Sequence, residues 1–299
     1  MSDIFKNGKI DLHMHTTVSD GSDTPTELIS HVKAAGIRLF SVTDHDAVKG
    51  CGIVRESLAE GDPDFITGVE FSTKDEIGKY HILGYNYDPG SKAVLDTVEK
   101  GHNLRMKKIT GRLDFLKTEF GFDFPEEEIQ SLLSLDNPGK PHIGNLMVKY
   151  GYAESKDKAI DDYINKLHYK SEYIRPEEAI RGIRDAGGIP VLAHPFYGSG
   201  DEYILGQEIE DRIKRLMGFG LMGVEAFYSG FSPKLISDML ALAQKYDLYV
   251  TAGSDYHGTN KTVVLGDIGL DEVTEIPAGM KKFLADIGRE EEPLCEYLL

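Results

Sequence analysis

The sequence predicts an α/β fold whose sheet is mainly parallel, open or closed into a barrel, and is interrupted once by a run of helices. Three observations lead there. Seven short apolar, β-branched runs recur along the 299 residues, each bounded by polar or Gly-rich turns. Segments with helix start and stop signals separate most of them, and strand-helix-strand alternation is the pattern of parallel sheets. One long interval, residues 88–175, carries helical periodicity and no convincing strand.

The first strand is KIDLH (9–13). The helix TPTELISHVKAAG follows, with a threonine cap, proline in the first turn and glycine at the end. Strands two to four are RLFSVT (38–43), DFITGVEF (64–71) and YHILGY (80–85). The insertion opens with the amphipathic LDTVEKGHNLRMKKITGRLDFLKTEFG, breaks at Pro125 and at Asn137-Pro138-Gly139, and resumes as helix after Pro141. The helix RPEEAIRGIRDAGG leads into GIPVLAH (188–194), the fifth strand. MGVEAF (222–227) is the sixth, and SPKLISDMLALAQKYD is a helix before LYVTAGS (248–254), the seventh. Residues 1–87 and 176–299 are therefore assigned to a barrel domain and residues 88–175 to a helical cap. The tail after about residue 272 is too short to be a domain.

Composition narrows the function. Apolar residues make up 40% of the chain, enough for a sizeable core, and no stretch approaches the roughly 20 apolar residues that span a bilayer. The start, MSDIFKNGK, lacks the apolar segment of a signal peptide, so a cytoplasmic location is expected and no membrane partner. The cysteines, Cys51 and Cys295, support neither a disulfide framework nor a cysteine-based zinc site, so any metal must be held by His, Asp and Glu. Fifty acidic against 33 basic residues give a net charge of −17, which repels long nucleic acids. A small phosphorylated substrate stays compatible, because divalent cations reverse the potential inside one pocket. Oligomeric state is not legible.

Imidazoles and carboxylates collect at the predicted strand ends. His13 and His15 close the first strand, Asp44-His45-Asp46 follows the second and Glu70 ends the third. His81 lies in the fourth, His194 ends the fifth, Glu225 lies in the sixth, and Asp255 and His257 follow the seventh. In parallel α/β folds these ends converge on one face. A lone strand histidine is ordinarily a hydrogen-bonded core residue; here six of the ten histidines share the pattern, while His31, His102 and His168 fall on helix-like segments as surface or packing residues. Along an extended strand residues i and i+2 point to the same side, so His13 and His15 can reach one cation, as can Asp255 and His257. Glu70 could bridge two ions, and Asp20 could reach in from the SDGS loop. Mixed imidazole and carboxylate donors suit Zn, Mn or Fe, and their number exceeds the three protein ligands of a single catalytic zinc. Two or three divalent ions are expected, and such clusters activate water for phosphoester hydrolysis.

The motifs DLHMHT, SDG, TDHD, GVEFS, HILGY, AHP and GSDYHG, in that order, resemble those of the polymerase and histidinol phosphatase (PHP) family of metal-dependent phosphoesterases. The resemblance covers about residues 9–270 and implies a distorted seven-stranded (β/α) barrel binding up to three divalent ions. Its nine ligand positions fall on His13, His15, Asp20, His45, Glu70, His81, His194, Asp255 and His257. Within the family the chain looks most like stand-alone bacterial phosphatases acting on nucleoside 3′,5′-bisphosphates, nucleoside monophosphates or the ends of short RNAs. That likeness implies phosphate-binding residues in the insertion at Arg105, at Lys107 or Lys108, and at His142. Relatives often carry arginine where this chain has Lys140, which replaces a bidentate fork by a point charge.

The expected activity is thus phosphate-monoester hydrolysis on a nucleotide or short oligonucleotide, with Asp44, Glu70 and His194 as catalytic residues and Arg105, Lys108 and His142 holding substrate. A histidinol-phosphate-type or other small-molecule phosphatase is the alternative, and a non-catalytic or proofreading module a further one. Asp44 and Asp46 are expected to orient ligands or to deliver a proton to the leaving oxygen. Glu225 is expected to make rim hydrogen bonds, Tyr228 and Phe196 to pack or to stack on a base, and Met14 to pack in the barrel.

Overall fold

The computed structural model describes residues 10–167, 172–198, 203–269 and 275–288. Every expected strand forms: β1 (Ile10–Asp11), β2 (Leu39–Val42), β3 (Asp64–Lys74), β4 (Lys79–Tyr85), β5 (Ile189–Leu192), β6 (Gly223–Tyr228) and β7 (Tyr249–Gly253). They lie side by side in chain order. Backbone bonds from Leu12 N to Ala252 O (2.9 Å) and from Asp255 N to His13 O (2.8 Å) bring β7 back to β1, so the sheet is a nearly closed barrel. The buried Asp11 carboxylate strengthens that seam by accepting from Ser254 N (2.9 Å) and Gly266 N (2.9 Å).

The direction of β4 departs from the expected parallel pattern, since β4 is antiparallel to both β3 and β5. The cause is local. Only residues 75–78 separate β3 from β4, enough for a hairpin and too few for a crossover helix. Asp75 Oδ1 closes the turn by accepting from Ile77 N (2.8 Å) and Gly78 N (3.1 Å). Because β4 runs backwards, it is its beginning that meets the face where the parallel strands end, and His81 sits there.

The helices α1 (Pro25–Ala34) and α2 (Lys49–Ser57) precede the hairpin, and α3 (Lys92–Phe120), α4 (Glu126–Leu133), α5 (Lys140–Lys149) and α6 (Lys156–Asp162) occupy the interval between β4 and β5. The remaining helices are α7 (Pro176–Asp185), α8 (Gln207–Phe219), α9 (Pro233–Lys245) and α10 (Ala278–Asp286). Helix α8, which is not among the expected helices, starts after Gly206 without the proline that opens α7 and α9. Thr24 caps α1 with a reciprocal box to Glu27, as its sequence signature indicates. Helix α10 packs Phe283 edge-on against Tyr85 and Tyr249, so the tail helps cover the barrel.

Two cores matter for the site. Strand residues such as Ile82, Val191 and Val224 pack with Ile180, Ile213 and Met239 of α7, α8 and α9. A separate apolar cluster joins Ile109, Leu113 and Leu116 of α3 to Leu132, Ile143, Met147 and Ala159 of α4 to α6. Each fully buried Leu or Ile there contributes about 1.5–3 kcal/mol. Helix α3 spans both regions, with Val94 in the barrel core and its second half in the cap cluster. Gly101 lets it approach: a Cβ there would stand 2.9 Å from Ile174 Cδ1 and 3.1 Å from Asp46 Cβ. Met14 is fully buried among Leu28, Phe40 and Val42, the packing role expected of it. No helix among the described residues is long and apolar enough to cross a membrane. His168 and Cys295 lie outside the described residues.

Candidate metal centre

Glu70 is fully buried in β3 and surrounded by imidazoles. Its Oε2 lies 3.3 Å from His13 Nε2, 3.2 Å from His15 Nε2 and 3.0 Å from His45 Nδ1, while Oε1 lies 2.9 Å from His81 Nδ1 and 3.3 Å from His194 Nε2. Each oxygen therefore faces its own group of histidines. Asp255 Oδ1 lies 3.5, 3.3 and 3.4 Å from His13 Nε2, His15 Nε2 and His257 Nδ1. Asp20 reaches in from the loop after β1, 3.2 Å from His257 Nε2 and 3.7 Å from His15 Nδ1. The structure thus brings all nine expected ligand residues onto one face.

The backbone routes differ in one respect from the strand-alternation argument. His13 and His15 flank Met14, which bridges to Tyr256 in extended form, and their rings are 5.3 Å apart. Strand β7, however, stops at Gly253, and Asp255 adopts a left-handed backbone with φ +59°. It is this turn that aims Asp255 and His257 at the same place. Asp46 (φ +50°) and His194 (φ +28°) also hold left-handed backbone, so strain of about 1–3 kcal/mol per residue is concentrated beside the donors.

Several donors have no hydrogen-bond partner although they are buried: His13 Nε2, His15 Nε2, Asp20 Oδ1, His45 Nδ1 and Glu70 Oε2. Leaving such atoms unsatisfied costs about 1–3 kcal/mol each. They converge, and ligand atoms lie within 4.8 Å of one another in three sets: His15, Asp20, His45 and His257; His13, His15 and Glu70; His45, Glu70 and His81. Imidazole and carboxylate lone pairs gathered in this way fit divalent cations of the Zn, Mn or Fe type.

Electrostatics point the same way. Burial opposes ionisation of Glu70, but His45, His81 and His13 outweigh it and hold the carboxyl well below its usual range. Asp20 and Asp255 are likewise held low against burial, chiefly by His45 and by His13 respectively. Against burial, Glu70 and Asp20 raise His45 to about 9, and Glu225, Glu70 and Asp255 raise His13. Burial and then the neighbouring His257 and His45 push His15 down to about 4, and burial lowers His81. Carboxylates stay ionised while protons are held on some imidazoles, which is the charge that bound cations would replace.

A surrounding layer orients the donors. Glu225 is completely buried, not at the rim as expected; its Oε1 accepts from His13 Nδ1 at 2.9 Å and its Oε2 accepts from His194 N at 2.8 Å. The first bond fixes the proton of Nδ1, so that Nε2, turned to Glu70, is the nitrogen that would ligate a cation once the ring is neutral. Gly253 makes room, since a Cβ there would stand 2.2 Å from His13 Cβ and 2.6 Å from Glu225 Oε1. Asp44, expected as catalytic, has both oxygens taken up by the loop after β1. It accepts from Thr16 N (2.7 Å), Thr16 Oγ1 (2.8 Å) and Ser19 Oγ (2.7 Å), which makes it the anchor of the Asp20 loop. Tyr228 donates to Asp255 Oδ2 at 2.9 Å, and Phe196 is buried against Phe231.

The insertion touches this layer. Arg105, expected to bind phosphate, pairs with Asp46 at 2.5 Å, and Asp46 also accepts from Ser72 N at 3.0 Å. Asn137 Nδ2 donates to the carbonyl of His45. His142 Nδ1 accepts from Gly139 N at 3.0 Å, so this ring caps its own helix. Lys108 lies 3.1 Å over the Tyr173 ring. With Lys79, Arg112, Lys140, Asn165 and Tyr173 it lines a cavity of about 160 Å³ that no carboxylate lines among the described residues. Lys107 points elsewhere, 3.9 Å from Glu172. Burial and then the Arg105 charge bring Lys108 down to about 7, and burial lowers Lys140 and Arg112.

A family model for the PHP domain matches residues 11–174, a span that includes most of the cluster and the cap. The chain belongs to the PHP domain family. Among proteins of this kind it is 28% identical to a 5′-3′ exoribonuclease of Haemophilus influenzae, over 92% of this chain and 99% of that one. It is also 28% identical to a 3′,5′-nucleoside bisphosphate phosphatase of Chromobacterium violaceum, over 83% of this chain and 87% of that one. A Chromobacterium violaceum structure described as an amidohydrolase with bound sulfate and no metal superimposes with a TM-score of 0.74 at 25% identity, covering 86% of this chain and 90% of that one. A Bifidobacterium adolescentis structure shares the fold at 24% identity and TM-score 0.73, over 89% and 97% of the two chains. Membership in the PHP family makes the chain a hydrolase of the phosphoesterase type, as its motifs led one to expect.

Proposed function

We propose that this phosphoesterase hydrolyses a nucleotide bearing a second phosphate, either a nucleoside 3′,5′-bisphosphate or a short 5′-phosphorylated oligonucleotide, with two or three divalent ions (Mn, Fe or Zn). The observation that carries the reading is the pairing of two cavities. One, of about 190 Å³, is lined by His81 and His194; the other is the basic cavity of the cap, and Lys79 lines both. Four cations crowded around one space repel one another, and a phosphate between them relieves that repulsion. The Haemophilus and Chromobacterium relatives, a 5′-3′ exoribonuclease and a 3′,5′-nucleoside bisphosphate phosphatase, support a nucleotide substrate. Residues 88–175 act in this reading as the cap that holds the remote phosphate.

The residues that would hold the ions are His13, His15, Asp20, His45, Glu70, His81, His194, Asp255 and His257. Bound ions supply Lewis acidity toward water and toward the oxygens of the reacting phosphoryl group. Glu70 serves two groups of imidazoles, one with each oxygen, and so keeps them in register. Glu225 maintains the tautomer of His13 and the backbone of His194. Lys108, Arg112 and Lys140 take the second phosphate and fix the distance from it to the bond that breaks, which is the positioning part of catalysis.

The test compares adenosine 3′,5′-bisphosphate with adenosine 3′-monophosphate and histidinol phosphate on chelator-stripped protein, with and without added Mn²⁺. Mn²⁺-dependent phosphate release with the highest kcat/KM on the bisphosphate is expected. Equal rates with and without metal, or a preference for histidinol phosphate, would contradict the reading.

A further inference from the structure

We propose that Lys261 and Tyr228 are positioning residues that make Asp255 a one-oxygen metal ligand. The proposal rests on Asp255 being a ligand in the centre described above. The carboxylate of Asp255, itself 5% exposed, is divided. Its Oδ2 accepts from Tyr228 Oη at 2.9 Å and from Lys261 Nζ at 2.7 Å, while Oδ1 faces His13, His15 and His257 at 3.3–3.5 Å. With Oδ2 held by two donors, rotation of the carboxylate and chelation through both oxygens are disfavoured, and Oδ1 alone is presented.

Both donors are placed by identifiable features. Glu225 and Tyr228 are three residues apart in β6, which in a regular strand would put them on opposite faces. A register shift between Glu225 and Phe227 brings both to the metal face. The Tyr228 ring is then held by Phe231 at 5.1 Å and Tyr197 at 5.6 Å. Lys261 arrives from the loop after His257 with its side chain 42% exposed. No other lysine or arginine among the described residues ion-pairs with one of the nine donors. A positive charge beside a cation site is unfavourable by Coulomb's law alone, so its presence calls for a compensating task, which orientation supplies.

That opposition gives the test its sign. Mn²⁺ binding to the metal-free protein is measured by titration calorimetry for wild type, Lys261→Met, Lys261→Arg and Tyr228→Phe. Positioning predicts that Lys261→Met and Tyr228→Phe each weaken Mn²⁺ binding, by about tenfold or more. Lys261→Arg restores it, and excess Mn²⁺ rescues kcat with KM unchanged. Tighter or unchanged binding in Lys261→Met overturns the proposal, as does a raised KM at wild-type Mn²⁺ affinity, which would make Lys261 a substrate contact. Absence of Mn²⁺ binding to wild type would instead overturn the metal centre itself. Lys261 is on an exposed loop and Tyr228→Phe removes one atom, so both variants keep the fold testable.

Discussion

At the strand ends, carboxylates and imidazoles from many elements are buried at contact distance around Glu70; in the cap, Lys79, Lys108, Arg112 and Lys140 surround a cavity with no carboxylate lining it among the described residues. The first region is short of positive charge and the second has too much of it. In the proposed reading each is incomplete without its ligand, divalent cations for one and a phosphate for the other. They also differ in construction. The donors of the first sit on strand ends and strained turns tied by buried hydrogen bonds, whereas those of the second are half-buried side chains on α3, α5 and the start of β4. Loss of one residue should accordingly be severe in the barrel and graded in the cap.

The sharpest way to break this contrast is Glu70→Gln, which keeps shape and removes the shared charge. It should lower kcat by more than about 10³ and abolish most Mn²⁺ binding, measured by steady-state kinetics and calorimetry. A mild effect would mean that the strand-end cluster is not the reactive centre. Next in size is Glu225→Gln, which leaves every ligand in place and loosens the His13 tautomer; Mn²⁺ affinity should fall about 10–100-fold. The third test is pH. Against burial, Glu70 and Asp20 hold His45 up at about 9, and a ligating nitrogen must be unprotonated. Apparent Mn²⁺ affinity should therefore rise toward pH 9 by about tenfold per unit for each proton displaced, then level off. A pH-independent affinity between 7 and 9 would remove His45 from the ligand set. The smallest effect belongs to the cap: Arg112→Ala should raise KM for adenosine 3′,5′-bisphosphate about tenfold or less while leaving a monophosphate unaffected. Equal loss on both substrates would show that the pocket does not discriminate the second phosphate.

The same contrast explains what could be read from the residues alone. The placement of His13, His15, Glu70 and His194 follows from strand ends converging in an α/β fold, so short motifs far apart in sequence report one place; His81, near the start of β4, reaches that face only because β4 is reversed. The reversed β4 was missed as a direction, although the short link at residues 75–78 carries that information. Glu225 looked like a rim residue because neither burial nor the space opened by Gly253 is visible in the string GVEAFY. Asp44 beside a ligand histidine invited a catalytic role, yet its partners, Thr16 and Ser19, are set by a loop geometry that spacing does not encode. In the cap, Arg105 is tied to Asp46, and Lys108, Arg112, Lys140 and Lys79 come to one cavity only through the packing of α3, α5 and β4. Helical periodicity tells which face is apolar, not which cations on two helices and a strand will share a cavity.

The central claim is that Glu70 is the shared ligand of a multinuclear centre. Crystals grown with Mn²⁺ and measured for anomalous scattering test it most directly. Two or three peaks are predicted, with at least two within coordination distance of Glu70, one on the side of Oε2 with His13 and His15 and one on the side of Oε1 with His81 and His194. Absence of any peak at Glu70, at saturating Mn²⁺, would contradict the account.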